Sequence, residues 1–128
     1  MSTTKITITG RYQGLNEYVF ANRTSPYAGR TMKHKSEKQI KKELTSQLDR
    51  PFLYPVRLDY CFYEPNKRRD KSNIAGYFHK VFEDSLVQCG FLEDDGWKFV
   101  EGFSDDFKVD HDNPRIEITI TEYGVGPD

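Results

Sequence analysis

The stretch "YPVRLDYCFYEPNKRRDKSNIAGYFHKVFEDSLVQCG" (residues 54–90) changes its periodicity midway, and that change decides the fold. Over 54–64, Val56, Leu58, Tyr60 and Phe62 alternate with Arg57, Asp59, Cys61 and Tyr63, the period-two pattern of a strand with one buried face. Over 73–89, Ile74, Phe78, Val81, Phe82, Ser85 and Cys89 recur at steps of three and four, with Leu86 beside them. That spacing predicts a helix with one packed face. Gly90 is placed to stop it as the residue after the C-cap. Between strand and helix, Lys67, Arg68 and Arg69 run into Asp70.

The flanks supply the remaining elements. "KITITGRY" (5–12) sets Ile6 and Ile8 against Thr7 and Thr9 and reads as a strand. "QGLNEYVFANRTSPYAGR" is rich in Gly, Asn, Ser, Pro and Arg and reads as an irregular or partly helical connection. "KSEKQIKKELTSQL" (35–48) predicts a helix with Ile40, Leu44 and Leu48 in one apolar line, Ser36 as N-cap and Pro51 beyond its end. "WKFVEGF" reads as a strand, "SDD" and "DHDNP" as turns. "RIEITITEY" (115–123) alternates through Ile116, Ile118 and Ile120. No repeat, linker or low-complexity tract interrupts the order, so residues 1–128 read as one α+β domain.

Composition narrows the class. A chain of 128 residues is long enough for a core without disulfides or a structural metal. Its mean hydropathy is −0.78 with 30% charged residues, while 14% aromatic residues is too many for a disordered chain. No apolar run approaches the roughly 20 residues needed to cross a bilayer, and the first ten residues lack a signal-peptide core, so a cytoplasmic protein without a membrane partner is expected. Cys61 and Cys89 fit no metal or redox spacing and read as reduced thiols. The formal net charge of −1 announces no nucleic acid globally, so any such partner must be met by a local patch.

Two acidic points bracket the helix 73–89: Asp70 before it, and "EDDG" after it, where Asp94 and Asp95 stand. A continuous helix of that length is about 25 Å long and would hold them apart. They meet only if the chain folds back at either end or a second subunit supplies one of them. If they meet, carboxylates without Cys or His suit Mg²⁺ or Mn²⁺, which could activate water for phosphodiester hydrolysis. Lys67, Arg68 and Arg69 would then contact phosphates, and Lys80 could stabilise developing charge. The plainer alternatives are a solvated acidic turn, a solvated basic loop and, for Lys80 with Asp84, an i,i+4 surface pair. Lys33, Lys35, Lys38, Lys41 and Lys42 form the densest basic segment, diluted by Glu37 and Glu43. It reads either as a solvated helix face or as one that meets phosphate. His34, His79 and His111 lack metal spacing and read as surface or capping residues. There is no calcium loop, nucleophile elbow or phosphate-binding glycine loop.

The segments "RRDKSNIA", "HKVFEDSLVQCGF" and "EDDGWKFV" resemble the RusA family of Holliday-junction resolvases, especially forms carried by phages and prophages of Gram-positive bacteria. Their counterparts there are a basic run into R-D-x-D-N, a helix with a Lys and a D-x-L stretch, and an acidic pair. "GLNEYVFANRTSPYAGRTMKHKSE" and "NPRIEITI" extend the resemblance over most of residues 10–122. It implies a mixed sheet with two main helices and an intertwined homodimer. It also implies a Mg²⁺- or Mn²⁺-dependent endonuclease making paired symmetric nicks in four-way or otherwise branched DNA, in recombination and repair in the bacterial host cytoplasm. Asp70, Asp94 and Asp95 match the acidic metal centre, Lys80 the catalytic lysine, and Asn73 a supporting residue. Lys67, Arg68, Arg69, Lys33 and Lys35 are the cations expected on DNA. One position departs: Ser72 stands where the motif has its second Asp, which removes a unit of negative charge. The alternative expectation is therefore a dimer that binds junctions and cuts weakly or not at all.

Overall fold

Residues 1–124 are described by a computed structural model of the chain; residues 125–128 of the expected 1–128 domain lie outside them. The elements run β1 (Ser2–Thr9), α1 (Leu15–Thr24), α2 (Pro26–Gln47), β2 (Val56–Glu64), α3 (Lys71–Gln88), β3 (Val100–Val109) and β4 (Arg115–Glu122). The strands form one mixed sheet in the order β1-β4-β2-β3, antiparallel except for the parallel pair β2–β3. Among the described residues three helices, rather than the two main ones expected, accompany it. The chain is thus a small single α+β domain. No helix among the described residues is long and apolar enough to cross a membrane.

The alternation read in the sequence sets the sheet register. Ile6 and Ile8 of β1 sit opposite Ile118 and Ile116 of β4, and Leu58, Tyr60 and Phe62 of β2 sit opposite Ile120, Ile118 and Ile116. A one-residue slip would turn this whole set to solvent, so burial of one face fixes the pairing. These residues and the α3 face of Ile74, Phe78, Val81, Phe82 and Leu86 make the core, joined by Ile40 and Leu44 of α2. α3 ends in a Schellman motif as its glycine predicts. Gly90 adopts φ +78°, its N–H donates to Val87 O (3.0 Å), and Phe91 N–H donates to Leu86 O (2.9 Å).

Three expectations are corrected. The helix expected from residue 35 begins at Pro26, with Ser25 as its N-cap accepting from Tyr27 N–H (3.1 Å). The Ser-Pro pair separates α1 from α2, because a proline at the first helical position loses nothing. Ser36 is accordingly interior: its buried hydroxyl donates to Met32 O (3.1 Å) and accepts from Tyr77 of α3 (2.8 Å). β3 also runs straight through "SDD", which is strand and not turn.

Candidate functional site

Parallel strands joined through a helix leave a crevice outside their carboxyl ends, beside the N-terminus of that helix. Here a cleft of about 940 Å³ occupies this place, between the ends of β2 and β3 and the start of α3. Lys67, Asp70, Lys71, Ser72 and Lys108 line it, with Phe107 as part of its apolar wall. Asp70 is the N-cap of α3, yet its carboxylate makes no capping bond, so it remains available in the cleft. The positive end of the helix favours its charge. The Lys71 ammonium lies over the Phe107 ring (5.7 Å) and that of Lys108 over Tyr63 (5.8 Å).

The three cations of the loop divide. Lys67 and Arg68 are exposed, and Lys67 reaches the cleft. Arg69 is turned inward: its Nη2 donates to both oxygens of buried Glu64 (2.9 and 3.0 Å) and its Nη1 to Tyr12 O (2.9 Å). A guanidinium held by a bidentate carboxylate and a carbonyl has little left for phosphate. Arg69 therefore braces the cleft wall in this chain rather than offering itself to DNA.

Asn73 also has a structural task. Its Oδ1 accepts from Asn16 N–H (2.8 Å), so a side chain of α3 satisfies the first turn of α1. Glu17 accepts in turn from Gly14 N–H (3.1 Å). A Cβ at Gly14 would meet the Asn73 amide at 2.7 Å, which leaves no room there for a larger residue.

Lys80 lies about 15 Å along α3 from Asp70. It pairs with Asp84 (3.4 Å), the i,i+4 partner its spacing indicates, and Lys33 of α2 approaches Asp84 more closely (2.8 Å). Burial pushes the Asp84 carboxyl up, but its bonds and attraction to Lys33 and Lys80 outweigh that and hold it below the usual range. Lys33 is raised by the same hydrogen bond. Lys35 belongs to a different cleft, between the β1–α1 connection and α2.

The acidic points do not meet within one chain. α3 is an uninterrupted helix of 18 residues, about 27 Å long, with Asp70 at its start and Asp94 and Asp95 beyond its end. Asp95 acts electrostatically on Glu83, a position about 20 Å along the helix from Asp70. Among the described residues no group of three or more His, Cys, Asp or Glu is placed to hold a metal ion. Within one chain, α3 thus leaves Asp70 in the cleft without Asp94 and Asp95.

A second polar group, unforeseen in the sequence, lies where α3 crosses β2 and β3. Tyr60 donates its hydroxyl to Glu83 Oε2 (3.0 Å), and His79 Nε2 lies 2.6 Å from Asp105 Oδ1. The His79 ring lies tilted against Tyr60, with centroids 4.4 Å apart, and this histidine is half-buried rather than a surface or capping residue. Burial pushes the Glu83 carboxyl above its usual range, and the charges of Asp95 and Asp84 add to that; the Tyr60 bond and His79 oppose it. The signal missed in the sequence is a Glu and a His at i and i−4 on a helix whose other face is apolar.

No protein-family model matches this sequence, and no curated protein matches it.

Proposed function

We propose that the protein acts on branched DNA as a homodimer, and that it is an endonuclease making paired symmetric nicks in four-way junctions. The observation that carries this reading is the place of Asp70. It is an uncommitted carboxylate in a cleft with Lys67, Lys71 and Lys108, at the helix end that best accommodates an anion. Cations around an acid left free, the other acid of the cleft (Glu64) being bound to Arg69, suit a phosphodiester backbone brought against a hydrolytic group. Since one chain separates Asp70 from Asp94 and Asp95, cutting rests on a partner subunit bringing its own Asp94 and Asp95 to the cleft. A two-fold dimer makes two such sites, which suits two equivalent strands of a junction. Within the chain, Lys67, Lys71 and Lys108 hold the backbone and Arg69 with Glu64 keeps the loop in shape.

The second reading is a junction-binding dimer that does not cut. The separated carboxylates favour it, as does neutral Ser72 lining the cleft where the resembling family has an acid. The deciding experiment incubates the protein with a labelled four-way junction and Mg²⁺ or Mn²⁺, beside linear duplex and an Asp95→Asn control. Paired nicks confined to the junction and lost in the control support the endonuclease. Binding without nicks under either ion supports the second reading, and cutting gained by Ser72→Asp would assign the defect to that position.

A further inference from the structure

A second cation-lined groove, of about 530 Å³, lies between the β1–α1 connection and the middle of α2. Arg11, Lys35, Lys38 and Lys42 line it, together with Thr9 and Gln39, and among the described residues no carboxylate does. Lys35, Lys38 and Lys42 stand at i, i+3 and i+7, so they form one row along the helix. Their axial spacings are about 4.5 and 6 Å, against about 3.4 Å of helix axis per phosphate of one strand in duplex DNA. Long lysine side chains at that spacing can follow a strand over about three phosphates.

The carboxylates of α2 are engaged within the chain, Glu43 beside Thr9 at the edge of the groove and Glu37 away from it. Glu43 accepts from the Thr9 N–H and hydroxyl, and Glu37 is buried and bonded to Gln88 (2.8 Å). Lys33, the other cation of this segment expected on DNA, faces α3 and is bound to Asp84. The groove also adjoins the first cleft. The Arg11 guanidinium lies 3.6 Å from Glu64, which grips Arg69 and lines the Asp70 cleft. One wall thus separates two cation-lined surfaces.

We propose that the row of Lys35, Lys38 and Lys42, with Arg11, is a second backbone track that holds a duplex DNA arm leaving the Asp70 cleft. The assignment rests on the branched-DNA reading above and names the part of the substrate that this face takes. Duplex is favoured over single strand because the groove offers no stacking platform: its one aromatic residue, Tyr12, is half-buried with its ring edge-on to Phe78 (5.3 Å). Contacts to phosphate alone carry no base information, so the track is sequence-independent.

The test measures single-strand, duplex and four-way-junction affinity by fluorescence anisotropy from low to physiological salt. It compares the wild type, a Lys35→Gln/Lys38→Gln/Lys42→Gln variant and a Lys67→Gln/Lys71→Gln variant. Losing three phosphate contacts is expected to reduce the slope of log affinity against log salt by about 2.7. A far-UV spectrum and melting curve check the fold, and Lys38→Gln and Lys42→Gln singly, each expected to remove about 0.9 of slope, serve if the triple variant does not fold. A triple variant with an unchanged slope, while the Lys67→Gln/Lys71→Gln variant weakens, overturns the track and leaves the branched-DNA reading standing. Tighter binding to single strands than to duplex also overturns it. A wild type that binds neither duplex nor junction overturns both.

Discussion

Lys67, Arg68 and Arg69 are alike as a run of letters, but only one of them is structural. Glu64 has a side chain 9% exposed, and Arg69, at 12%, supplies its bidentate partner. Removing one member of such a pair strands the other as a buried charge, so Arg69→Gln is expected to cost about 3 kcal/mol of folding stability. Arg68→Gln, next to it and exposed, is expected to stay within about 0.5 kcal/mol. Urea unfolding of the two variants checks this, and equal small losses would show that Arg69 does not brace the loop. The sequence did carry a sign of this pair. Along β2 the buried positions are Val56, Leu58, Tyr60, Phe62 and then Glu64, so the core alternation runs into a carboxylate that must find a cation. β4 repeats the device, with Ile116, Ile118 and Ile120 leading to buried Glu122, whose Oε2 accepts from Leu53 and Tyr54 N–H (2.6 and 3.1 Å).

At the level of elements, legibility followed burial. β2, β4 and α3 each present a continuous buried face and were readable from periodicity. α1 buries little besides Ala21, so no apolar stripe marks it, and the Ser-Pro pair after it looks like loop chemistry. β3 is an edge strand whose exposed "SDD" imitates a turn; charges there are what discourages an open edge from pairing with another chain. The Glu83 site was hidden because it depends on where α3 crosses β2, which no local pattern states. That crossing predicts a pH dependence. Glu83 is raised by burial, and faces Tyr60 of β2, His79 and Asp84 of α3 and Asp95 of the following loop. Its folded form therefore holds a proton that the unfolded chain has already released. Stability falls as pH rises from the ordinary glutamate value of about 4.3 through the raised one, then levels. Glu83→Gln keeps an acceptor for Tyr60 and removes this fall. Across that window the variant should gain on the wild type in urea midpoint as pH rises. Parallel profiles would mean that Glu83 ionises as freely in the fold as in water.

The whole molecule poses the question that no single chain answers, namely how Asp70 could act with Asp94 and Asp95 from opposite ends of α3. In the homodimer proposed above, the β2–α3 end of each chain would lie against the α3–β3 loop of the other. Each completed site then takes Asp70 from one protomer and Asp94 with Asp95 from its partner. This arrangement makes a prediction that a site within one chain cannot share. Asp70→Asn and Asp95→Asn homodimers each carry a lesion in both sites and should leave a four-way junction uncut. In a mixed dimer the two lesions fall in the same site, and the other site receives intact residues from both chains. Mixing and refolding the two inactive variants together should therefore restore cutting. The restored activity should be single nicks rather than paired ones, because each mixed dimer holds one working site and each homodimer none. Resolution of nicked from fully resolved junction on a native gel separates these products. Were each site built within one chain, every site in the mixture would keep a lesion and no cutting would return. If the wild type cuts and the mixture does not, the composite dimer is excluded, and the acids must instead be gathered within one chain by a change at either end of α3.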